Sequence, residues 1–496
     1  MDNYEPNIQR LNTIDKRLRR YSLDSKLELL RVLYHATSPY LPNDDFLRSI
    51  LPQSLLRKRV RGRVYNHELA YLSLAAIVKG EWNGQIEDID FNALKKIIEL
   101  YRDYNVPFSH KEDNDLSNEE MISQFSVRTG LQQFIFQRHP FRSFYRYNYF
   151  FNYINSNLNI KDIFISEFGY CYEDYLLFSW VLYVYSAKST TFNLDGLIKN
   201  CVEILGFSEE KARRIVSTFS INRGDYQSLY KKFATEDANM RIYDFNPLLF
   251  KPILTYGSKS YFPMPFAVFI AVTEGLYQQL CTIKGLQFKS DFGKHAFEDY
   301  VEHILSLHEY DYIKEFEYEV NKNKLRSPDF ILIKDNHIIF IELKARAPMI
   351  SLRTTNRNKY IEELKKSYGS ALAQCFKKES HIKKGFLKHP KIPQKISRVS
   401  YIAITLEEFN IVDGTGIEEA IAMQGARLSD SQYHIMSTTT LESILEEDDR
   451  DVFQYCLDRE QAGTTNTHFS DVDVNRVKTK NNRNKNLMRD ILRKTI

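Results

Sequence analysis

No stretch of this 496-residue chain approaches the roughly 20 consecutive apolar residues that a helix needs to cross a bilayer. Residues 1–20 are rich in Asn, Asp and Arg and lack an apolar core segment, so neither a signal peptide nor a hydrophobic anchor is read there; a cytoplasmic protein without membrane contact is expected. Cysteine is scarce. Cys171, Cys201, Cys281, Cys375 and Cys456 are far apart, odd in number and never in a CxxC pair, which excludes a disulfide framework and a thiolate zinc site and fits ordinary reduced thiols. GxxxxGK[ST], HExxH and GxSxG are also missing, so ATP hydrolysis, zinc-protease chemistry and a serine-hydrolase elbow find no support, and any motor has to be a partner. Neither sign of charge dominates. A formal charge of +4 says little by itself, because binding of a polyanion depends on where cations cluster.

What is present is globular: 43% hydrophobic and 27% charged residues in a chain too long for one ordinary core. Residues 1–116 read as a helical region, with Leu27, Leu29, Leu30, Val32 and Leu33 at helical spacing. Ser117 and Glu120 form a capping-box pattern that opens a second helical region, 117–285. There Phe144, Tyr145, Tyr147, Tyr149, Phe150, Phe151 and Tyr153 crowd together, Ser208 marks a helix start, and Phe262-Pro263-Met264-Pro265 breaks the chain before an apolar helix over 266–280.

After Gly285 the pattern changes. A helix over 293–307 precedes a strand over 312–320, then apolar β-branched runs over 330–334 and 338–343 separated by the turn Asp335-Asn336-His337. A helix over 360–378, strands over 398–406 and 433–436, and a helix from 441 to 460 complete a third unit, 286–461; 462–496 reads as a basic, flexible tail. The expected fold is multidomain: a large, mainly helical N-terminal part followed by an α/β domain with a short mixed sheet.

Four charged side chains sit at telling places in the third unit. Pro328 bars helix before Asp329, and strand alternation puts Glu342 and Lys344 on one face just past Ile338-Ile339-Phe340-Ile341. Glu298 lies in the preceding helix. Two carboxylates converging from a hairpin offer hard oxygen ligands to Mg²⁺, and a lysine beside them can position water or neutralise a phosphate. Singly, Asp329 reads equally as a turn residue and Glu342 as a charge that blunts an edge strand.

Pro328-Asp329 followed by Glu342-Leu343-Lys344, with Glu298 in the helix before, resembles the PD-(D/E)xK nuclease superfamily over roughly residues 286–445. The resemblance implies a restriction-endonuclease-like α/β/α domain and metal-dependent phosphodiester hydrolysis. It further implies that Asp329, Glu342, the Leu343 carbonyl and Glu298 serve Mg²⁺, with Mn²⁺ as substitute, that Lys344 is the catalytic lysine, and that Gln374 is the glutamine some members carry in the following helix. One branch adds a tyrosine four positions further on, where this chain has Lys378.

Arg346, Arg353 and Arg357, with Lys359, follow the motif directly, and Lys377, Lys378, Lys383, Lys384, Lys388 and Lys391 follow in or after the next helix, a distribution suited to a polyanionic substrate; DNA is expected ahead of RNA. Arg57, Lys58, Arg59, Arg61 and Arg63, and Arg138, Arg142 and Arg146 among the aromatics, are further candidates for phosphate and stacking contacts, against a core role for the aromatic stripe. The architecture resembles effectors of bacterial anti-phage defence or restriction, working as a homo-oligomer or with a partner subunit. The competing reading is a catalytically silent nucleic-acid-binding or scaffold subunit of a transposition or restriction complex, which a cleavage assay separates from an enzyme.

Overall fold

The computed structural model describes residues 5–37, 64–81, 86–103, 129–136, 141, 143–187, 191–348, 350–353, 357–411, 414–426, 433–446, 451–467, 486–487 and 490–491. The capping pattern at Ser117 and Glu120, and Arg57 to Arg63, lie outside them.

The N-terminal part is helical, as its periodicity requires. In Leu23–Thr37, Leu23, Leu27, Leu30 and Leu33 lie buried on one face. Ser208 is an N-cap, its hydroxyl accepting the Lys211 N–H at 3.1 Å at the head of Glu209–Phe219. The aromatic stripe forms the helix Phe144–Phe151, whose Phe144, Tyr147, Phe150 and Phe151 are core. The ring of Phe150 packs edge-on against Phe292 at 4.8 Å and Tyr300 at 5.2 Å.

This part also holds a small sheet that the periodicity did not announce: β1 (Ser220–Asn222) parallel to β2 (Ile253–Tyr256), which pairs antiparallel with β3 (Lys259–Tyr261). Strands of three or four residues are too short to show a period. The helices expected at 266–280 and 293–307 are linked in one helical path: Ala267–Ile270, a π turn Ala271–Gly275, Leu276–Asp291, a second π turn Phe292–Phe297, then Glu298–Ser306. The path breaks once, at Gly285, whose φ of 79° and ψ of −160° only glycine adopts readily.

Among the described residues the C-terminal sheet has five strands. The strands β4 (Tyr312–Lys314), β7 (Phe330–Lys334) and β8 (His337–Lys344) run antiparallel in turn, and β8, β9 (Arg398–Thr405) and β10 (Tyr433–Ser437) run parallel. The single strand expected over 312–320 is two. At Glu315 the chain leaves the sheet, and β5 (Glu317–Val320) pairs instead with β6 (Asn323–Arg326). The bend is fixed by Phe316 and Ser327: the Ser327 N–H donates to the Phe316 carbonyl and the Phe316 N–H to the Ser327 hydroxyl, both at 2.9 Å. His337 pairs with Lys334 and belongs to β8, leaving Asp335, at φ 54°, and Asn336 as the turn.

Further helices differ in extent from expectation. Arg357–Leu364, a π turn Lys365–Gly369 and Ser370–Lys383 form one run, and the last helix is two, Thr438–Leu445 and Val452–Gln461. The start of the basic tail is anchored, since the Arg459 guanidinium donates to the carbonyls of Thr464 and Thr467.

The sheet is buried on both faces, which is why β7 and β8 read as continuous apolar runs. Phe330, Leu332, Ile339, Ile341, Ile402 and Ile404 join the core of the helical part. Ile331, Ile338, Phe340, Tyr401 and Ala403 meet the helical run 357–383 and the helix Thr415–Ala422. No helix among the described residues is long and apolar enough to cross a membrane.

Candidate active site

Asp329 stands one residue before β7 and Glu342 near the end of β8. Because Phe330 pairs with Ile341, the two acids fall side by side across the hairpin. An Asp329 carboxylate oxygen accepts the Leu343 N–H at 2.6 Å, which fixes the aspartate against the partner strand. Glu342 shares the sheet face of Ile338 and Phe340, the face that Ser370–Lys383 covers, and is only 4% exposed. Lys344, two residues on, holds its ammonium 3.7 Å from Glu342 and donates to the Gln374 amide oxygen at 3.4 Å. Lys378, one helical turn past Gln374, donates to the Arg326 carbonyl.

The third acid comes from the other side of the sheet. The π turn Phe292–Phe297 leads into Glu298, and Gly293 lets the helix close on the end of β8: a Cβ there would lie 3.1 Å from that of Ala345.

The electrostatics follow from this crowding. Burial, then the charge of Asp329, lifts Glu342 to about 8, against the pull of Lys344 and Lys378. Burial also raises Asp329, opposed by the Leu343 N–H and Lys344. Glu298 is pushed to about 8 by burial, then by Asp329 and Glu315. Glu315 acts on all three and lines the same cleft, yet sequence reasoning passed over it. No sequence pattern singles it out, because the break between β4 and β5 that turns it toward Asp329 appears only in the fold.

These residues share a cleft of about 1570 Å³ lined by Glu298, Asp329, Glu342, Leu343, Lys344 and Gln374. Among the described residues no three His, Cys, Asp or Glu side chains form a preformed cation cage. The donor chemistry nonetheless fits Mg²⁺, which is held by one or two carboxylates and keeps several waters. Asp329 and Glu342 are two such carboxylates, both raised first by burial, and a bound cation would favour their charged forms.

The basic candidates divide. Arg346, Lys377 and Lys378 line the cleft, although Arg346 is also paired with the buried Glu363 at 2.6 Å. Lys383 pairs with Glu379 at 2.7 Å and Lys391 with Asp311 at 2.8 Å, outside the cleft lining; Lys384 and Lys388 are exposed. Arg353 ends the 3₁₀ turn Ile350–Arg353 and Arg357 opens the helix Arg357–Leu364, with Lys359 exposed in its first turn. Arg138 and Arg142 lie outside the described residues.

Arg146 is not a phosphate contact. It is fully buried, 2.9 Å from Glu407 and 3.2 Å from Glu442, while the hydroxyls of Tyr147 and Tyr300 donate to those same acids at 3.0 and 2.5 Å. Burial opposes its charge, but the two glutamates outweigh that and raise its pKa above the ordinary value. Glu407 lies just past β9, its N–H donating to the Arg346 carbonyl at 3.1 Å, so this network ties the helical part to the rim of the site.

Residues 289–404 match the family model described as NERD, nuclease-related domain. The match runs from the helical path before Glu298 into β9 and takes in Glu298, Asp329, Glu342, Lys344 and Gln374. Neither a curated protein nor a solved structure matches the chain.

Proposed function

The C-terminal half of this chain carries a nuclease-related domain of PD-(D/E)xK-like fold, and from that premise we propose that the protein is a Mg²⁺-dependent nuclease that cuts DNA in preference to RNA. The observation that carries the proposal is the pair of carboxylates, the half-buried Asp329 and the buried Glu342, set side by side with Lys344 on the same face as Glu342. Asp329, Glu342 and the Leu343 carbonyl would hold the ion, with Glu298 reaching it through water. When bound, the ion supplies a Lewis acid for the phosphodiester and lowers the pKa of water.

The chain's own side chains do the rest. Lys344 places its ammonium beside Glu342 and directs it toward a phosphate oxygen in the cleft, while Gln374, which accepts from that ammonium, orients it. Lys377 and Lys378 add positive charge along one wall, where a phosphate backbone would run. The likeness to restriction endonucleases supports DNA as substrate, and the union of a large helical part with a nuclease supports a role as an effector of anti-phage defence or restriction, by architectural analogy.

The test is cleavage of plasmid, single-stranded DNA and RNA by the purified full chain with Mg²⁺, Mn²⁺ or EDTA. Cutting should need the divalent ion and fall about a thousandfold or more in Asp329→Asn and Glu342→Gln, and about a hundredfold in Lys344→Met. Tight binding with no cutting under any condition would give the site to the silent-platform reading instead.

A further inference from the structure

The two walls of the cleft differ in chemistry. The wall built on β7, β8 and the helix Ser370–Lys383 carries Lys344, Arg346, Lys377 and Lys378; the wall supplied by the helical part carries Leu229, Phe233, Phe250, Ile283 and Leu286. On the second wall Leu286 is 84% and Ile283 54% exposed, although both are large and apolar. They flank Gly285, where the helical path breaks, so the chain bends and presents both at the cleft margin instead of folding them into the core. Cations are interleaved with this apolar wall: Lys232 lies 5.5 Å from the ring centre of Phe233, and Lys289 is exposed just beyond Leu286.

Resting on the nuclease reading above, we propose that the cleft takes one unpaired strand of nucleic acid, with its phosphates along the lysine wall and its bases against the apolar wall. A duplex shows its surroundings phosphates and groove edges and keeps its base faces stacked inside, so an apolar wall has nothing to meet on it. A single strand offers both surfaces at once, and proteins that hold one combine a cationic track with aromatic platforms on which bases stack, the part Phe233 and Phe250 would play here, with the aliphatic neighbours burying against the base faces. The size agrees. About 1570 Å³ exceeds what small-molecule sites occupy, roughly 300–1000 Å³, and suits a short run of nucleotides.

The experiment is equilibrium binding of the full chain, in EDTA so that nothing is cut, to a labelled unstructured single strand and to the matching duplex at one salt concentration. The single strand should bind about tenfold or more tightly than the duplex. The double variant Ile283→Ser/Leu286→Ser should weaken single-strand binding by about fivefold to a hundredfold, leaving duplex binding and the melting temperature unchanged. Duplex binding equal to or tighter than single-strand binding overturns the proposal, and so does a double variant that binds like the parent. A wild-type dimer that the double variant dissociates also overturns it, by giving the patch to a second copy of the chain. Cutting is read separately, in the cleavage assay above, so a protein that binds single strands but never cleaves them defeats the nuclease reading alone, whereas one that cleaves and grips only duplexes defeats this inference alone.

Discussion

Glu342 holds a proton in the metal-free fold that the unfolded chain has given up, since its pKa rises from 4.5 to about 8 on burial beside Asp329. The folded state binds more protons here, so the stability tied to this group is complete below pH 4.5 and is lost as pH rises through 8. Histidines and lysines with pKa values lowered by burial, such as His35 at about 3 and Lys26 at about 8, impose their own pH dependence, but they are common to parent and variant. The difference in melting temperature between Glu342→Gln and the parent, without metal, should therefore widen in favour of the variant from pH 5 to pH 9, and Mg²⁺ should narrow it. A constant difference would mean that Glu342 is not crowded by charge. At this scale Asp329, Glu342 and Lys344 were legible, because a proline and the two-residue period of a strand fix where they point. Glu315 was not, because its approach to Asp329 depends on a bend held by Phe316 and Ser327.

Among the elements, the helix Phe144–Phe151 shows what pattern can and cannot tell. Its aromatic stripe reads as core, and it is core. Arg146 within it reads as a surface cation, because the acids that neutralise it lie 261 and 296 residues away. Removing a partner from a buried ion network leaves charge stranded, so Arg146→Met should destabilise the protein by about 3–5 kcal/mol. Adding Glu407→Gln and Glu442→Gln to Arg146→Met should recover most of that loss, and denaturant unfolding of both variants measures it. If the single variant is as stable as the parent, Arg146 does not hold the two parts together. Continuous apolar, β-branched runs and turn chemistry likewise revealed β7 through β9, whereas β1 to β3 are too short to carry a period.

For the molecule as a whole, one face of the C-terminal sheet is finished by the helical part: Phe330, Leu332, Ile339 and Ile341 share a core with Phe150, Phe292 and Tyr300. Fully burying one such side chain contributes about 1.5–3 kcal/mol, so a fragment lacking that cover exposes more than a marginal fold can lose. Residues 286–467 expressed alone should aggregate or unfold without a cooperative transition. A soluble fragment with a sharp melting curve would show that the shared core is dispensable.

The pairing of Arg146 with Glu407 and Glu442 also sets an order of events during synthesis. At about 5–20 residues per second, the 296 residues from Arg146 to Glu442 take roughly 15–60 seconds to emerge. Until Glu407, 261 residues on, has emerged, the nascent helical part carries a cation without either of these counter-charges, and its apolar face stays bare until the sheet arrives. The strand β10 emerges only after the residues that line the cleft, so the sheet that carries Glu342 gains its last strand after those residues have been made.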